Sequence, residues 1–144
     1  MNDALSKEQW ISFHINGATY VQPIEQVREI VPYREPAPVP GAPAEVEGIV
    51  NIRGDVISVI SARHLMDAPS YLANDDSRIL IIEHEQNLIG FTVDSVSEIV
   101  GFNSDQIEHG YADHDLIKGT VKIESELYIV ADLANYTNNK DTYE

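Results

Sequence analysis

The stretch EGIVNIRGDVISVI, which runs from Glu47 to Ile60, decides the fold class of this chain. Alternating apolar residues flank a central Arg-Gly-Asp, and two such runs separated by a glycine-containing turn predict a β-hairpin. With Gly54–Asp55 as a two-residue loop, Ile52 would face Ile57. This register predicts one wholly apolar face, and it directs Arg53 away from the core beside the turn.

The outer face of the hairpin separates two possible registers. In the preferred register Asn51 faces Ser58 and the outer face is polar. The alternative loop, Arg53–Gly54, would place Asn51 opposite Val56 and Ile49 opposite Ser58, which is expected to mix polar and apolar residues on both faces. The pattern therefore favours the first register, with Asn51 and Gly54 as the structural motif of the hairpin.

The hairpin recurs later in the chain. GIVNIRGDVISV at 48–59 is echoed by GTVKIESELYIV at 119–130, and EQVREIV at 25–31 is echoed by DSVSEIV at 94–100. Two echoes in the same order, at offsets of 71 and 69 residues, indicate an internal repeat. About five short strands per copy predict an all-β fold with short helices, built of two small barrels.

The chain contains nine Lys and Arg against 24 Asp and Glu, which gives a formal net charge of −15. Arg53 can be a solvated residue of the hairpin tip, but because basic residues are scarce, an ion pair between Arg53 and Glu29 is a second hypothesis. In the second copy Glu124 replaces Arg53 and Lys122 replaces Asn51. The two hairpins thus differ in charge, as expected if each meets a different neighbour.

Composition limits the possible partners. A chain of 144 residues with 43% apolar residues can bury one core, and it contains no cysteine. A pI near 4.5 argues against binding to nucleic acid or to an anionic membrane. No segment is long and apolar enough to span a membrane, and no signal peptide is evident, so a cytoplasmic location is expected. The ends, 1–8 and 138–144, are expected to be flexible tails.

Two acidic clusters with histidine suggest a metal-binding alternative. One contains His109, Asp113, His114 and Asp115, and the other is 83–85, Glu-His-Glu. These side chains are suitable zinc or manganese ligands, although an acidic loop and a hairpin tip explain them more simply. No resident metal or other cofactor is predicted.

Two further functions are disfavoured. The tripeptide at 53–55 matches a cell-adhesion motif, but three-residue matches are frequent by chance. The chain has no G-x-S-x-G, P-loop or G-x-G-x-x-G motif, and no spacing marks a nucleophile with its base. A non-enzymatic protein is therefore predicted.

The repeated motifs resemble the CheW-like family of bacterial chemotaxis coupling proteins. GIVNIRGDVISV resembles the family's G-V-x-N-L-R-G-x-I-x-P-V, and VQPIEQVREIV resembles Y-x-I-P-I-x-x-V-x-E-I. LIGFTVDSVSEIV resembles x-x-G-L-x-V-D-x-V-x-x-V, and ADLANY resembles L-D-x-x-x-L. The similarity runs from Trp10 to about Tyr136.

The resemblance implies a single domain over 1–144 with two five-stranded SH3-like β-barrels related by pseudo-twofold symmetry. Subdomain one would cover about 10–77 and subdomain two about 78–136, with strands that can interchange. It also implies an adaptor that couples the cytoplasmic tip of chemoreceptors to the regulatory domain of a CheA-type histidine kinase, at receptor arrays on the inner face of the membrane. By position, the receptor-binding groove would contain Val27, Glu29, Arg53, Val96 and Ile99.

The chain departs from the family after the hairpin. The family's P-V-x-D-L-R is replaced by SVISAR at 58–63, so that proline, aspartate and leucine are missing. The proline-containing stretch that follows the V-D-x-V strand is replaced by QIEHGYADHD. These departures leave open a divergent accessory protein of a pilus-type or other non-flagellar signalling system.

Overall fold

A computed structural model describes residues 7–110 and 114–139. In these ranges the chain forms ten short strands, two 3₁₀ turns at Ile24–Gln26 and Ser104–Gln106, and two helices, α1 (Ala62–Leu65) and α2 (Ala134–Asn139). The strands are β1 (Gln9–Ile15), β2 (Ala18–Pro23), β3 (Val27–Pro32), β4 (Val46–Ile52), β5 (Asp55–Ser61), β6 (Arg78–His84), β7 (Asn87–Val93), β8 (Ser95–Gly101), β9 (Ile117–Ile123) and β10 (Glu126–Ala131).

The strands form two five-stranded sheets that exchange strands between the halves of the chain. Sheet A has the order β8-β1-β2-β10-β9, and sheet B has the order β3-β6-β7-β5-β4. In the repeat, β1 to β5 correspond to β6 to β10, and replacing every strand by its counterpart converts one strand order into the other. Each sheet contains one parallel pair, which is β2–β10 in sheet A and β5–β7 in sheet B. The all-β, two-unit fold is confirmed. The contiguous ranges 10–77 and 78–136 do not coincide with the sheets, because β1–β2 and β6–β7 each join strands of the other half.

A pair of glycines shows how closely the two copies correspond. Gly48 and Gly119 have φ angles of 149° and 155°, values that L side chains rarely adopt. A Cβ at Gly48 would lie 2.2 Å from the carbonyl oxygen of Ala37, and a Cβ at Gly119 would lie 2.1 Å from that of Glu108. The preceding loop of each copy therefore crosses its hairpin strand at a position that only glycine can occupy.

The register predicted for the first hairpin is wrong. Asn51 pairs with Val56, and the turn consists of Arg53–Gly54, whose φ angles are 52° and 90°. Positive φ at both residues defines a type I′ turn, whose twist matches that of the flanking strands. The favourable turn outweighs the polar pairing of Asn51 with Ser58 that the other register offers, and Val56 is 67% accessible on the outer face.

Both registers keep the same residues on the core side. They differ by a two-residue shift, which preserves the alternation of the strands. Val50 and Ile57 are buried on the core face. The apolar pattern therefore predicted the core correctly and could not choose the turn.

A shared core joins the two sheets. Phe13 from sheet A and Phe91 from sheet B are both fully buried in one cluster, and Tyr136 of α2 packs edge-on against Phe91. The other buried members of this cluster are Ile15, Tyr20, Ile60, Ala62, Leu80, Ile82, Val93, Leu116, Ala131, Leu133 and Ala134. Because both sheets contribute to one apolar cluster, the two units form a single body.

The described part of the chain reaches a short way into both predicted tails. Glu8 is anchored, since its backbone carbonyl accepts from Phe102 N at 3.1 Å and its carboxylate accepts from Ser104 N at 2.6 Å. At the other end, α2 continues to Asn139. The remainder of both predicted tails lies outside the described residues.

Candidate functional site

The predicted ion pair between Arg53 and Glu29 is present at the tip of the β4–β5 hairpin. Arg53 occupies the first position of the turn, and its Nη1 donates to Glu29 Oε2. Asn51 Oδ1 accepts from Gly54 N at 3.0 Å, which stabilises the turn that directs Arg53 toward Glu29. The hydrogen bond with the Glu29 carboxylate raises the pKa of Arg53.

Glu29 lies on the less exposed face of β3. Glu29 is half-buried and Val31 is buried, whereas Ile30 between them is exposed. A register shift between Val27 and Glu29 turns Val27 to the opposite face of the strand. The Glu29 side chain is 27% accessible and that of Arg53 is 71% accessible. Arg53 therefore covers a carboxylate that the strand alternation turns inward. Arg28 on the outer face pairs instead with Glu83 at 3.0 Å.

The other predicted groove residues lie on β8 of sheet A. Val96 pairs with Phe13 and packs against the shared core, as Val27 does from β3. Ile99 pairs with Ile11 and is 55% exposed. The fold thus brings Glu29 and Arg53 into contact. It places Val27 on the opposite face of β3, toward the shared core, and carries Val96 and Ile99 on the other sheet.

The corresponding end of sheet A carries a different charge. Glu98 and Glu124 stand at the repeat positions of Glu29 and Arg53. The pKa of Tyr128 is raised chiefly by burial, and the negative charges of Glu126, Glu98 and Glu124 raise it further. One copy therefore has an ion pair where the other has only carboxylates.

Exposed apolar side chains also occur in repeat-related pairs. Ile30 on β3 corresponds to Ile99 on β8, and Val56 on β5 corresponds to Leu127 on β10. All four are among the exposed large apolar residues. The repeat therefore leaves the same two apolar positions exposed in each copy.

Sequence reasoning missed a second ion pair, between Arg63 and Asp94. Arg63 Nε donates to Asp94 Oδ1 at 2.9 Å and Nη2 donates to Oδ2 at 2.8 Å, and the side chains are only 14% and 16% accessible. Asp94 also accepts from Asn16 N at 2.8 Å. Burial acts to raise the pKa of Asp94, but these hydrogen bonds lower it overall. Asp94 lies in a motif that carried the family resemblance, whereas Arg63 lies in the segment that departs from it, so only Asp94 offered a signal in the sequence.

The proposed metal ligands do not converge in the described part of the chain. His114 Nδ1 accepts from Leu116 N at 3.0 Å, and its Nε2 contacts the carbonyl oxygen of Leu65 at 2.9 Å. His109 Nδ1 contacts the carbonyl oxygen of Lys118 at 2.8 Å. Asp113 lies outside the described residues. Within residues 7–110 and 114–139, no group of three or more His, Asp or Glu could hold a metal ion.

Among the residues that the structure describes, no helix is both long enough and apolar enough to cross a membrane.

Comparisons with known proteins agree with this architecture. The sequence profile of the CheW-like domain matches residues 9–140. The chain is 31% identical to the chemotaxis protein CheW of Bacillus subtilis over 140 residues, which covers 94% of this chain and 89% of the relative. The scaffolding protein TtCheW of Thermoanaerobacter tengcongensis superposes with a TM-score of 0.80 at 26% identity, covering 88% of this chain and 89% of that one.

A weaker similarity connects the chain to a pilus-system protein. Protein PilI of Pseudomonas aeruginosa is 24% identical over 94 residues, which covers 65% of this chain and 53% of the relative. The profile match and the CheW similarities are more extensive. They confirm the predicted role in chemosensory signalling, and the chain belongs to the CheW-like domain family.

Proposed function

We propose that this protein is a non-catalytic adaptor that couples the cytoplasmic tip of chemoreceptors to the regulatory domain of a CheA-type histidine kinase. The observation that carries the proposal is the pair of repeat-related surfaces on one body, which share exposed apolar residues but differ in charge. The Glu29–Arg53 pair belongs to one surface, and Glu98 and Glu124 belong to the other. Two related but unequal surfaces suit two different partners.

The adaptor works by holding its partners together. Because the shared core joins both sheets into one body, partners bound at separate surfaces of that body are held at a defined distance from each other. Their contact becomes effectively intramolecular, which raises its equilibrium population without any chemical step. A change in receptor conformation can then bias the kinase through the differential contacts of the two states.

The proposed receptor-binding surface consists of Val27, Glu29, Arg53, Val96 and Ile99. Apolar anchors beside a charged pair suit a groove that receives an amphipathic helix. Arg53 is largely accessible even while paired, so it retains donors for a carboxylate or carbonyl of the receptor helix. The protein would act in the cytoplasm, at receptor arrays on the inner face of the membrane.

A charge-swap experiment tests the surface. Arg53→Glu and Glu29→Arg should each weaken binding to a purified receptor-tip fragment by about tenfold or more, since each leaves two like charges in contact. The double variant should recover much of the binding, measured by isothermal titration. Arg28→Glu is the matched control, because it makes the same charge change on the outer face of the same strand.

Unaltered thermal melting would show that the single variants are folded. Equal weakening by Arg28→Glu would indicate a general charge effect and would contradict the proposed surface. Wild-type binding by Arg53→Glu would remove Arg53 from the interface.

The alternative output is a pilus-type system, favoured by the similarity to PilI and by the altered SVISAR segment at 58–63. Flagellar and pilus outputs differ in the kinase and receptor that the adaptor joins. Co-purification with the histidine kinases of the native cell, followed by deletion of each captured kinase, distinguishes them through loss of swimming or of twitching.

A further inference from the structure

A cleft of about 390 Å³ lies at the end of sheet B opposite the Arg53 turn. One wall is the proline-rich loop after β3, which contributes Tyr33, Pro36 and Pro38. The other wall is the segment after α1, with Tyr71 and Leu72. The ends of β5 and β7 complete the cleft. A volume of this size accommodates a long side chain or a small molecule.

Among the described residues that line the cleft, the one basic side chain, Arg63, cannot be offered to a ligand. Arg63 donates Nε and Nη2 to Asp94, and it donates Nη1 to the carbonyl oxygen of Pro69 at 2.6 Å. The remaining charged groups in the lining are Glu35 and Glu47. With Arg63 and Asp94 neutralising each other, the cleft carries a net negative charge and favours a cation over an anion.

Glu47 is the carboxylate best placed to receive that cation. Its Oε1 accepts from Thr92 Oγ1 at 3.2 Å, and within the described residues it takes part in no ion pair. Burial raises the pKa of Glu47, although the bond from Thr92 acts to lower it. The neighbouring cation Arg34 is directed elsewhere, because its Nη1 donates to the carbonyl oxygen of Asn51 at 3.1 Å.

The walls of the cleft are held in place without a ligand. Tyr33 N donates to the carbonyl oxygen of Ser77 at 3.1 Å, which extends the β3–β6 pairing and fixes the start of the proline-rich loop. The guanidinium of Arg63 lies 3.7 Å from the centre of the Tyr71 ring. Aromatic and proline surfaces that are fixed in advance reduce the entropic cost of binding a flat group between them.

We propose that this cleft binds an arginine side chain from an extended segment of a partner protein. A guanidinium is planar, stacks on aromatic faces and forms paired hydrogen bonds with a carboxylate. Glu47 and the nearby Tyr33 match these properties, whereas one face of Tyr71 is already covered by Arg63. A protein segment is favoured over a small molecule because Leu72 at the mouth is 91% exposed. Residues that flank the arginine would cover it. The proposal does not depend on coupling between receptor and kinase.

The test uses a blocked Ala-Arg-Ala peptide and NMR of the ¹⁵N-labelled full chain, which detects weak binding. The citrulline peptide is the matched ligand control, since it is nearly isosteric and uncharged. We expect the arginine peptide to shift the amides of Gly48, Tyr71 and Thr92, and the citrulline peptide to leave them in place. Glu47→Gln should weaken binding about tenfold or more, whereas Glu126→Gln, which removes the same charge from sheet A, should not.

Leu72→Ser distinguishes a protein segment from a free small molecule. It should weaken binding of the tripeptide and leave binding of agmatine unchanged, because agmatine has no flanking residues. The proposal is overturned if the citrulline peptide binds equally or if Glu126→Gln weakens binding as much as Glu47→Gln. Agmatine binding as tightly as the tripeptide would assign the cleft to a free cation and would overturn the assignment to a partner protein.

Discussion

Removing the Asp94 carboxylate should destabilise the protein in a pH-dependent manner. Asp94→Asn breaks a bidentate pair whose two side chains are 14% and 16% accessible, and it leaves the Arg63 guanidinium without its counter-ion. Loss of one partner of a fully buried pair costs about 3–5 kcal/mol, so this slightly accessible pair should cost about 2–3 kcal/mol at pH 7. For a chain of this size, Tm should fall by about 5–10 °C.

The sign of the pH dependence follows from the lowered pKa of Asp94. A carboxyl group whose pKa is lower in the folded protein stabilises it above the unfolded pKa, near 3.9, and this stabilisation is lost as the pH falls through the folded pKa. The difference between wild type and Asp94→Asn should therefore be greatest near pH 7 and should shrink steadily below about pH 4.

Urea unfolding at pH 7, 5, 4 and 3 measures that difference. Lys118→Met is the control, since it removes one member of a more exposed pair, Lys118–Asp132 at 3.7 Å, and should cost less than about 1 kcal/mol. A difference for Asp94→Asn that persists unchanged at pH 3 would refute the electrostatic reasoning. It would show that packing or backbone geometry, rather than charge, explains the loss of stability.

Other substitutions test the fold and the cleft. Gly48→Ala and Gly119→Ala should each lower the free energy of unfolding by about 3 kcal/mol or more, because each Cβ meets a carbonyl oxygen; Gly17→Ala, which meets nothing within 4 Å, should cost about 1 kcal/mol. Phe13→Ala should cost about 3–5 kcal/mol and leave one cooperative unfolding transition by circular dichroism, whereas separate melting of the sheets would contradict a shared core. Glu47→Gln should raise Tm by about 1–2 °C at pH 7. Burial raises the pKa of Glu47 in the folded protein, so the ionised carboxylate lowers stability at any pH above the unfolded pKa, and glutamine removes that charge. A lower Tm would contradict this reasoning.

Several features of this protein were predictable from short-range sequence patterns. Alternation over 47–60 predicted the hairpin, and the echo at 119–130 predicted the second copy, because strands follow a two-residue period and a duplicated fold preserves it. The Glu29–Arg53 pair was predictable because cations are scarce in this chain and both residues lie in one repeat unit. The charge difference between Arg53 and Glu124 could be read directly.

Other features depended on the relative energies of alternative strand pairings, which the local sequence pattern does not reveal. The two registers of the first hairpin bury the same residues, so the choice rested on the backbone energy of Arg53 and Gly54 at positive φ. The exchange of β1–β2 and β6–β7 between sheets was equally undetermined, since each hairpin has the same apolar face whichever half it joins.

The sequence by itself determined the fold class, the duplication and the residues that face the core. Only the tertiary structure decided which strands pair across the halves, and it alone brought Arg63 to Asp94 and Tyr33 to the segment that follows α1. The physical reason is the separation along the chain over which each interaction acts. Alternation and turn preference act over a few residues, whereas the ion pair and the cleft join positions 31 to 44 residues apart that come together only when the sheets close.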